Sequence, residues 1–215
     1  MSIKQKIEFS DLDIKFHKEL PTLMDVFSAC TNKIINLLTP IHDKIYHFIA
    51  ESISKNEKYY LKIISNNTIS FNEESFNKNK AVKLTRINNH FTIKNIIRII
   101  HIESEDFIEI EFGLYYDPTN EDYDIAEPFY YFCLKYNPKK LDINLKEENF
   151  YKTIENEFVN KYNILYDFIG KDNIEGDEIE EFIEIGIRQY DPEVINEASK
   201  DFIEKILSPI LIALP

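Results

Sequence analysis

Apolar side chains fall at Leu20, Leu23, Met24, Phe27, Cys30, Ile34 and Leu38, in steps of three and four that draw one stripe along a helix. The same phase continues through Ile41, Ile45, Phe48, Ile49 and Ile53. Between the two runs, Thr39-Pro40 has the form of an N-cap followed by proline at the first helical position. The pattern therefore predicts two helices meeting at Pro40, or one helix kinked there. Residues 59–64 and 81–87 read as short strands, and the polar, Asn-rich segment 65–80 that begins between them predicts a loop.

From residue 93 the period changes. Ile93, Ile97 and Ile99 alternate with polar positions, Glu103-Ser104-Glu105-Asp106 interrupts, and Ile108, Ile110, Phe112 and Leu114 alternate with Glu109, Glu111 and Gly113. This predicts a β-hairpin. Placing Ile102 opposite Phe107 sets Ile97 against Phe112 and Ile99 against Ile110 on a buried side, with Arg98 against Glu111 on the other. A slip of one residue would break the match. Residues 129–136 predict a further strand. Residues 148–169 return to helical spacing through Tyr151, Ile154, Phe158, Tyr162, Leu165 and Ile169, with Gly170 placed to close the helix. Residues 179–190 predict a strand. Asp191-Pro192 then starts a last helix, with its stripe at Ile195, Ala198, Phe202 and Ile206 and with Pro209 placed to end or kink it. One internal echo stands out. The run from Ile110 to Pro118 resembles the run from Ile183 to Pro192: each is an acidic strand with a central glycine that closes in Tyr-Asp-Pro. Such an echo can record a duplicated unit; the leading reading is that two strands use the same Asp-Pro exit for local reasons.

These elements assemble into a single α+β domain over all 215 residues. It has an N-terminal helical segment at about 16–55, a β-meander at 59–136, a helix at 148–169, a strand at 179–190 and a C-terminal helix at 192–208. The expected architecture is an antiparallel sheet of about four to six strands, packed on one face by the N- and C-terminal amphipathic helices, with an acidic surface on the opposite face and along one rim.

Composition narrows the function. With 44% hydrophobic and 29% charged residues the chain is globular rather than disordered. Its four glycines stand alone, which excludes the glycine-rich phosphate loops of common nucleotide-binding folds. Two cysteines in unrelated apolar patterns predict buried free thiols and a reducing cytoplasm. The polar N-terminus predicts no signal peptide, and no run approaches the ~18 apolar residues of a membrane span.

Charge is the most uneven property. The chain has 38 acids and 25 bases, net −13. Ten acids and no base lie between Arg98 and Lys135, and seven more acids without a base lie between Lys171 and Arg188; outside these windows 21 acids face 25 bases. Such segregation makes a directional field suited to selecting a basic partner. The leading expectation is a non-enzymatic acidic interaction protein of inhibitor, immunity or nucleic-acid-mimic type. It would bind a basic protein surface through Glu109, Glu111, Tyr115, Asp117, Glu121, Asp122, Asp124 and Glu127. Nucleic acid is disfavoured there by phosphate repulsion. On this reading Glu109 and Glu111 crowd like charge, so their neutralisation leaves the fold intact or slightly stabilises it.

The residues that carry chemistry support no catalyst, cofactor or metal directly. His42 and His47 are five apart on one helix and form no H-E-x-x-H pair, so Asp43 and His47 read as a helix-surface pair. Asn120-x-Asp122-x-Asp124 alternates like a calcium loop but lacks its glycine, and Tyr131 stands where the closing glutamate belongs. Cys133-Leu134-Lys135 puts cysteine where a restriction-type nuclease needs its second acid. The alternative is a metal-dependent hydrolase or nuclease using Glu109, Glu111 and the acids of loop 117–127. A third reading is a structural homo-oligomer. Ile210, Leu211, Ile212 and Leu214 are expected to pack on the N-terminal stripe or across a homodimer contact.

Overall fold

The computed structural model describes residues 11–72, 90–116, 128–137, 152, 160–162, 166–174, 178–187 and 191–215. The chain falls into two units, Met1–Leu37 and Leu38–Pro215. The class is α+β, as the periodicity predicts: a six-stranded, wholly antiparallel sheet with helices at both ends of the chain.

The first helix, α1, runs unbroken from Asp11 to Ile53 and carries Pro40 within it. A proline inside a helix costs about 3 kcal/mol. Beyond the boundary at Leu38, that residue and Ile41, Ile45, Ile49 and Ile53 are all buried in one phase. At roughly 1.5–3 kcal/mol for each such side chain, burial outweighs the proline. Thr39 does not cap a new helix; its hydroxyl accepts a bond from Asn67 Nδ2 at 3.0 Å.

The strands are β1 (Tyr59–Asn72), β2 (His90–His101), β3 (Phe107–Tyr116), β4 (Phe129–Tyr136), β5 (Tyr166–Ile174) and β6 (Glu178–Ile187), in the order β1-β2-β3-β4-β6-β5. Ile93, Ile97 and Ile99 of β2, Ile108, Ile110, Phe112 and Leu114 of β3, and Tyr130, Phe132 and Leu134 of β4 share one face and are buried. α1 covers this face beside Phe112, whose ring centroid lies 6.3 Å from that of His42. The C-terminal helix covers it beside Phe132, 5.3 Å from Phe202. The part of α1 from Leu38 onward and the C-terminal helix therefore lie on one side, as expected.

The β2–β3 hairpin is shifted by two residues from the predicted register. Ile97 faces Ile110, Ile99 faces Ile108, and Arg98 faces Glu109 instead of Glu111. An even shift preserves sidedness, so the predicted buried set survives. The turn explains the shift. His101 N donates to Asp106 O at 2.8 Å and closes the hairpin around Glu105, which adopts φ 60. Ile102 leaves the ladder, and its N–H goes to Lys58 O at 2.8 Å.

β1 extends through residues 65–72, where a loop was expected. Asn95 explains this. It occupies a core-face position between Ile93 and Ile97 and is fully buried. Its Oδ1 accepts from Asn67 N at 2.9 Å, and its Nδ2 donates to Asn67 Oδ1 at 3.3 Å. Asn67 has φ 48, and the β1–β2 register shifts on either side of Ser65. The asparagines thus form a bulge clamped by a buried amide, and the strand resumes beyond it. The expected strand at 81–87 lies outside the described residues.

The helix expected at 148–169 is overturned at its end. Asn160–Tyr162 form a helical turn, but Tyr166–Ile174 are β5, and Gly170 stands opposite Phe182 in a ladder instead of closing a helix. Leu165 and Ile169 fit a helical step, yet Tyr166, Phe168 and Gly170 also alternate, and pairing with β6 decides between the periods.

The C-terminal helix begins as α2 (Pro192–Asp201), capped by Asp191, whose Oδ1 accepts from Glu193 N at 2.9 Å. It widens to a π-helical stretch at Phe202–Leu207 and continues as α3 (Ser208–Ile212). Pro209 therefore does not end it. In α geometry its ring would meet the carbonyl four residues back; the wider turn, in which Ser208 N donates to Ile203 O, removes that conflict. Ile210 and Leu211 are buried and Ile212 is exposed, while Asn56 Nδ2 donates to Pro215 O at 3.2 Å.

Asp201 joins the helical turn at 160–162 to this helix. It accepts from the buried Tyr162 hydroxyl and from Lys161 Nζ at 2.7 Å, with Lys205 Nζ at 3.5 Å. Burial alone would raise the Asp201 carboxyl, but Lys161, Tyr162 and Lys205 hold it below its ordinary value. Burial, then the bond to Asp201, pushes Tyr162 up to about 12. The depressed Asp201 stabilises the fold above its ordinary pKa of 3.8 and loses that contribution as pH falls below it. The raised Tyr162 stabilises it below its ordinary 10.0 and loses that contribution as pH rises through about 12. In urea titrations across pH, Tyr162→Phe is expected to lower neutral-pH stability by about 1–3 kcal/mol and to flatten the alkaline limb.

Gly113 generates a second expectation. A Cβ placed there would lie 1.9 Å from the backbone oxygen of Ile93, in the adjacent strand. Gly113→Ala is expected to cost roughly 2–4 kcal/mol in denaturant unfolding, because backbone has to move.

Candidate functional site

The face of the sheet opposite the helices is where alternation sends Glu109 and Glu111. Water does not cover its middle: Glu109, Tyr131 and Cys133 are buried. A carboxylate held out of water is costly unless cations and donors reach it. The neighbouring strands bring them. Arg98 of β2 reaches Oε2 of Glu109 with both Nε, at 2.7 Å, and Nη2, at 2.6 Å. Its guanidinium also lies 4.2 Å over the Phe107 ring. From the other side Lys135 of β4 approaches Oε1 of Glu109 at 3.6 Å and Oε2 of Glu111 at 3.5 Å. Lys94 approaches Oε1 of Glu111 at 3.7 Å, and the Tyr131 hydroxyl donates to the same oxygen at 2.8 Å. Burial would by itself lower the Lys135 ammonium; Cys133, Glu111 and Glu109 outweigh it and hold the pKa above its ordinary value.

Two carboxylates thus meet three cations. The cluster has no surplus of negative charge, so Glu109 and Glu111 are internal partners of the sheet and present no free acid. A divalent ion there would have to displace lysine or arginine. No group of three His, Cys, Asp or Glu side chains suited to a metal occurs among the described residues. Lys135 does reach both carboxylates, but from the neighbouring strand, with Cys133 opposite Glu111.

Tyr131 links the cluster to the internal echo. β4 lies between β3 and β6, and Tyr131 faces Gly113 on one side and Gly186 on the other. The two echoed segments therefore flank one strand and set their glycines against the same aromatic residue. Periodicity alone could not show this, because it requires the strand order.

Of the other expected site residues, Tyr115 is half-buried on β3, with its ring 5.3 Å from that of Phe129. Asp117, Glu121, Asp122, Asp124 and Glu127 lie outside the described residues, as does the calcium-like alternation. Sequence reasoning missed Lys94, Tyr131 and Lys135. Their signal was present, since all three take the polar parity of their strands, but only the strand order aims them at β3. Asp43 Oδ1 lies 3.3 Å from Nδ1 of its neighbour His42, and His42 Nε2 is buried with no hydrogen-bond partner among the described residues.

The cluster reverses the expectation that Glu109 is dispensable. Glu109→Gln is expected to cost about 1–3 kcal/mol in chemical denaturation, since it leaves Arg98 facing a neutral group. The paired change Arg98→Met with Glu109→Leu is expected to recover much of that loss, because no buried charge is stranded.

No helix among the described residues is long and apolar enough to cross a membrane. Compared with known proteins, the chain matches no family, no curated protein and no solved structure, so its chemistry is read from its own residues.

Proposed function

We propose that this protein is a non-enzymatic binding protein of inhibitor, immunity or nucleic-acid-mimic type, which docks a basic protein surface through acidic segments at the β4–β6–β5 end of its sheet. One observation carries the reading: β6 lies beside β4, whose other neighbour is β3. The two acidic windows of the chain are thereby attached to strands on either side of β4. β5 and β6 together contain six acids and one base. The segment that leaves β3, residues 117–127, contains five acids and no base. Glu109 and Glu111 take a different part: they are neutralised within the sheet and brace the strands from which the other carboxylates depart. Concentrated charge on a rigid scaffold raises association rate and rejects acidic competitors.

The same charge balance removes support from a metal-dependent hydrolase at Glu109 and Glu111. A homodimer through the C-terminus has little left to use, because Ile210 and Leu211 are buried and Ile212 is the exposed member.

The test is affinity capture from the native host by the intact chain, at low and high salt, beside a variant carrying Glu178→Gln, Glu180→Gln, Glu181→Gln and Glu184→Gln. A basic protein is expected to co-elute at low salt and to disappear both at high salt and with the variant. Capture that is indifferent to salt and to the four substitutions overturns the reading. A rise in melting temperature with Mg²⁺ or Mn²⁺ would point to the hydrolase instead.

A further inference from the structure

The outer strands of the sheet are β1 and β5, and its two ends differ in charge. Residues 54–72 carry three bases and one acid, while β5 and β6 together carry six acids and one base. Lys55, Lys58 and Lys62 are exposed, and none makes an ion pair among the described residues. The cations of β2 are engaged inside the sheet, Lys94 with Glu111 and Arg98 with Glu109.

The backbone of β1 is open along the same edge. Ile102 N–H donates to Lys58 O, and the ladder continues with Tyr59 opposite His101 and Tyr60 opposite Ile100. Backbone groups alternate in direction along an antiparallel strand, so Tyr60 and Lys62 turn theirs to β2 while Leu61 and Ile63 turn theirs outward. Tyr60 is 46% exposed and Ile63 45%. β1 contains no proline and a single charge, so little blunts this edge before the bulge beyond Ile63.

Strand parity supplies the partner. With six strands, every neighbouring pair antiparallel, β1 and β5 run in opposite directions. A second copy set beside the first in the same orientation therefore lays its β5 antiparallel to β1 and keeps the helix-covered face on the same side. Pairing β1 with β1 would oppose lysines, and pairing β5 with β5 would oppose acidic ends. Only β1 with β5 joins opposite charges. We infer that the β1 edge is a docking surface for the β5 edge of a second copy, which extends the antiparallel sheet from one molecule to the next. This rests on the reading of the acidic end as a docking surface and names one basic surface that it takes. The contact is heterologous, so it repeats without closing. The edge before the bulge, Tyr59–Ile63, is short, so association is weak and draws on charge that salt screens.

Sedimentation velocity of the intact chain across the micromolar range, at low and high salt, tests this. At low salt the sedimentation coefficient is expected to rise with concentration past that of a dimer, and at high salt to stay at that of one chain. Lys58→Glu with Lys62→Glu blocks the β1 edge. Glu178→Gln, Glu180→Gln, Glu181→Gln and Glu184→Gln together weaken the acidic one. Each variant alone is expected to stay a single chain, with cooperative urea unfolding showing that it is folded. An equimolar mixture of the two is expected to give a dimer and nothing larger, because one intact edge of each kind remains. A parent that stays monomeric at low salt overturns the inference; if it still captures a basic protein in a salt-dependent way, the acidic docking surface stands without it. A mixture that forms no dimer also overturns the inference, as does association indifferent to salt.

Discussion

β3 puts one buried and one mostly buried carboxylate at the middle of a sheet face, and much of the central sheet is arranged to satisfy them. An unpaired carboxylate there would cost several kcal/mol. The remedy comes from both sides, with Arg98 and Lys94 from β2 and Lys135 from β4. Because these cations sit on different strands, the charges are met only when β2, β3 and β4 are in register together. The apolar side chains on the other face specify the same register. A slip of one residue would expose isoleucines on one face and bury lone charges on the other.

The polar face also has a steric requirement. Gly113 permits β2 to approach β3 more closely than any side chain would allow. Tyr131, flanked by Gly113 and Gly186, gives its hydroxyl to Glu111. Close backbone approach, an aromatic residue between glycines and a compensated carboxylate pair are thus parts of one layer.

Much of the fold was legible from periodicity, and the failures share a cause. The stripes of α1 and of the C-terminal helix, the alternation of β2 and β3 and the Asp191 cap are local signals, and each appears in the structure. The two prolines left continuation open, and the structure takes it: at Pro40 the burial of Leu38 and Ile41 outweighs the local cost, and before Pro209 the π-helical stretch relieves it. The Asn-rich part of β1 misled because its bulge depends on Asn95, far away in sequence. β5 misled because its residues fit two periods and pairing chose one. At the site, Glu109 and Glu111 were recognisable as one-sided carboxylates. Their neutralisation was not, since it depends on which strands lie next to β3.

The echo on either side of β4 has a consequence for assembly. Two similar acidic strands, each with a glycine to set against Tyr131, compete for two edges of one strand. Twelve residues separate β3 from β4, and 41 separate β4 from β6. Loop-closure entropy therefore favours the β3 pairing by roughly 1 kcal/mol. Only β3 also has β2, with Arg98 and Lys94, joined to its far side. The order of the strands is thus protected by chain connectivity and by the cations of a third strand, because the echoed segments alone barely tell the two edges apart.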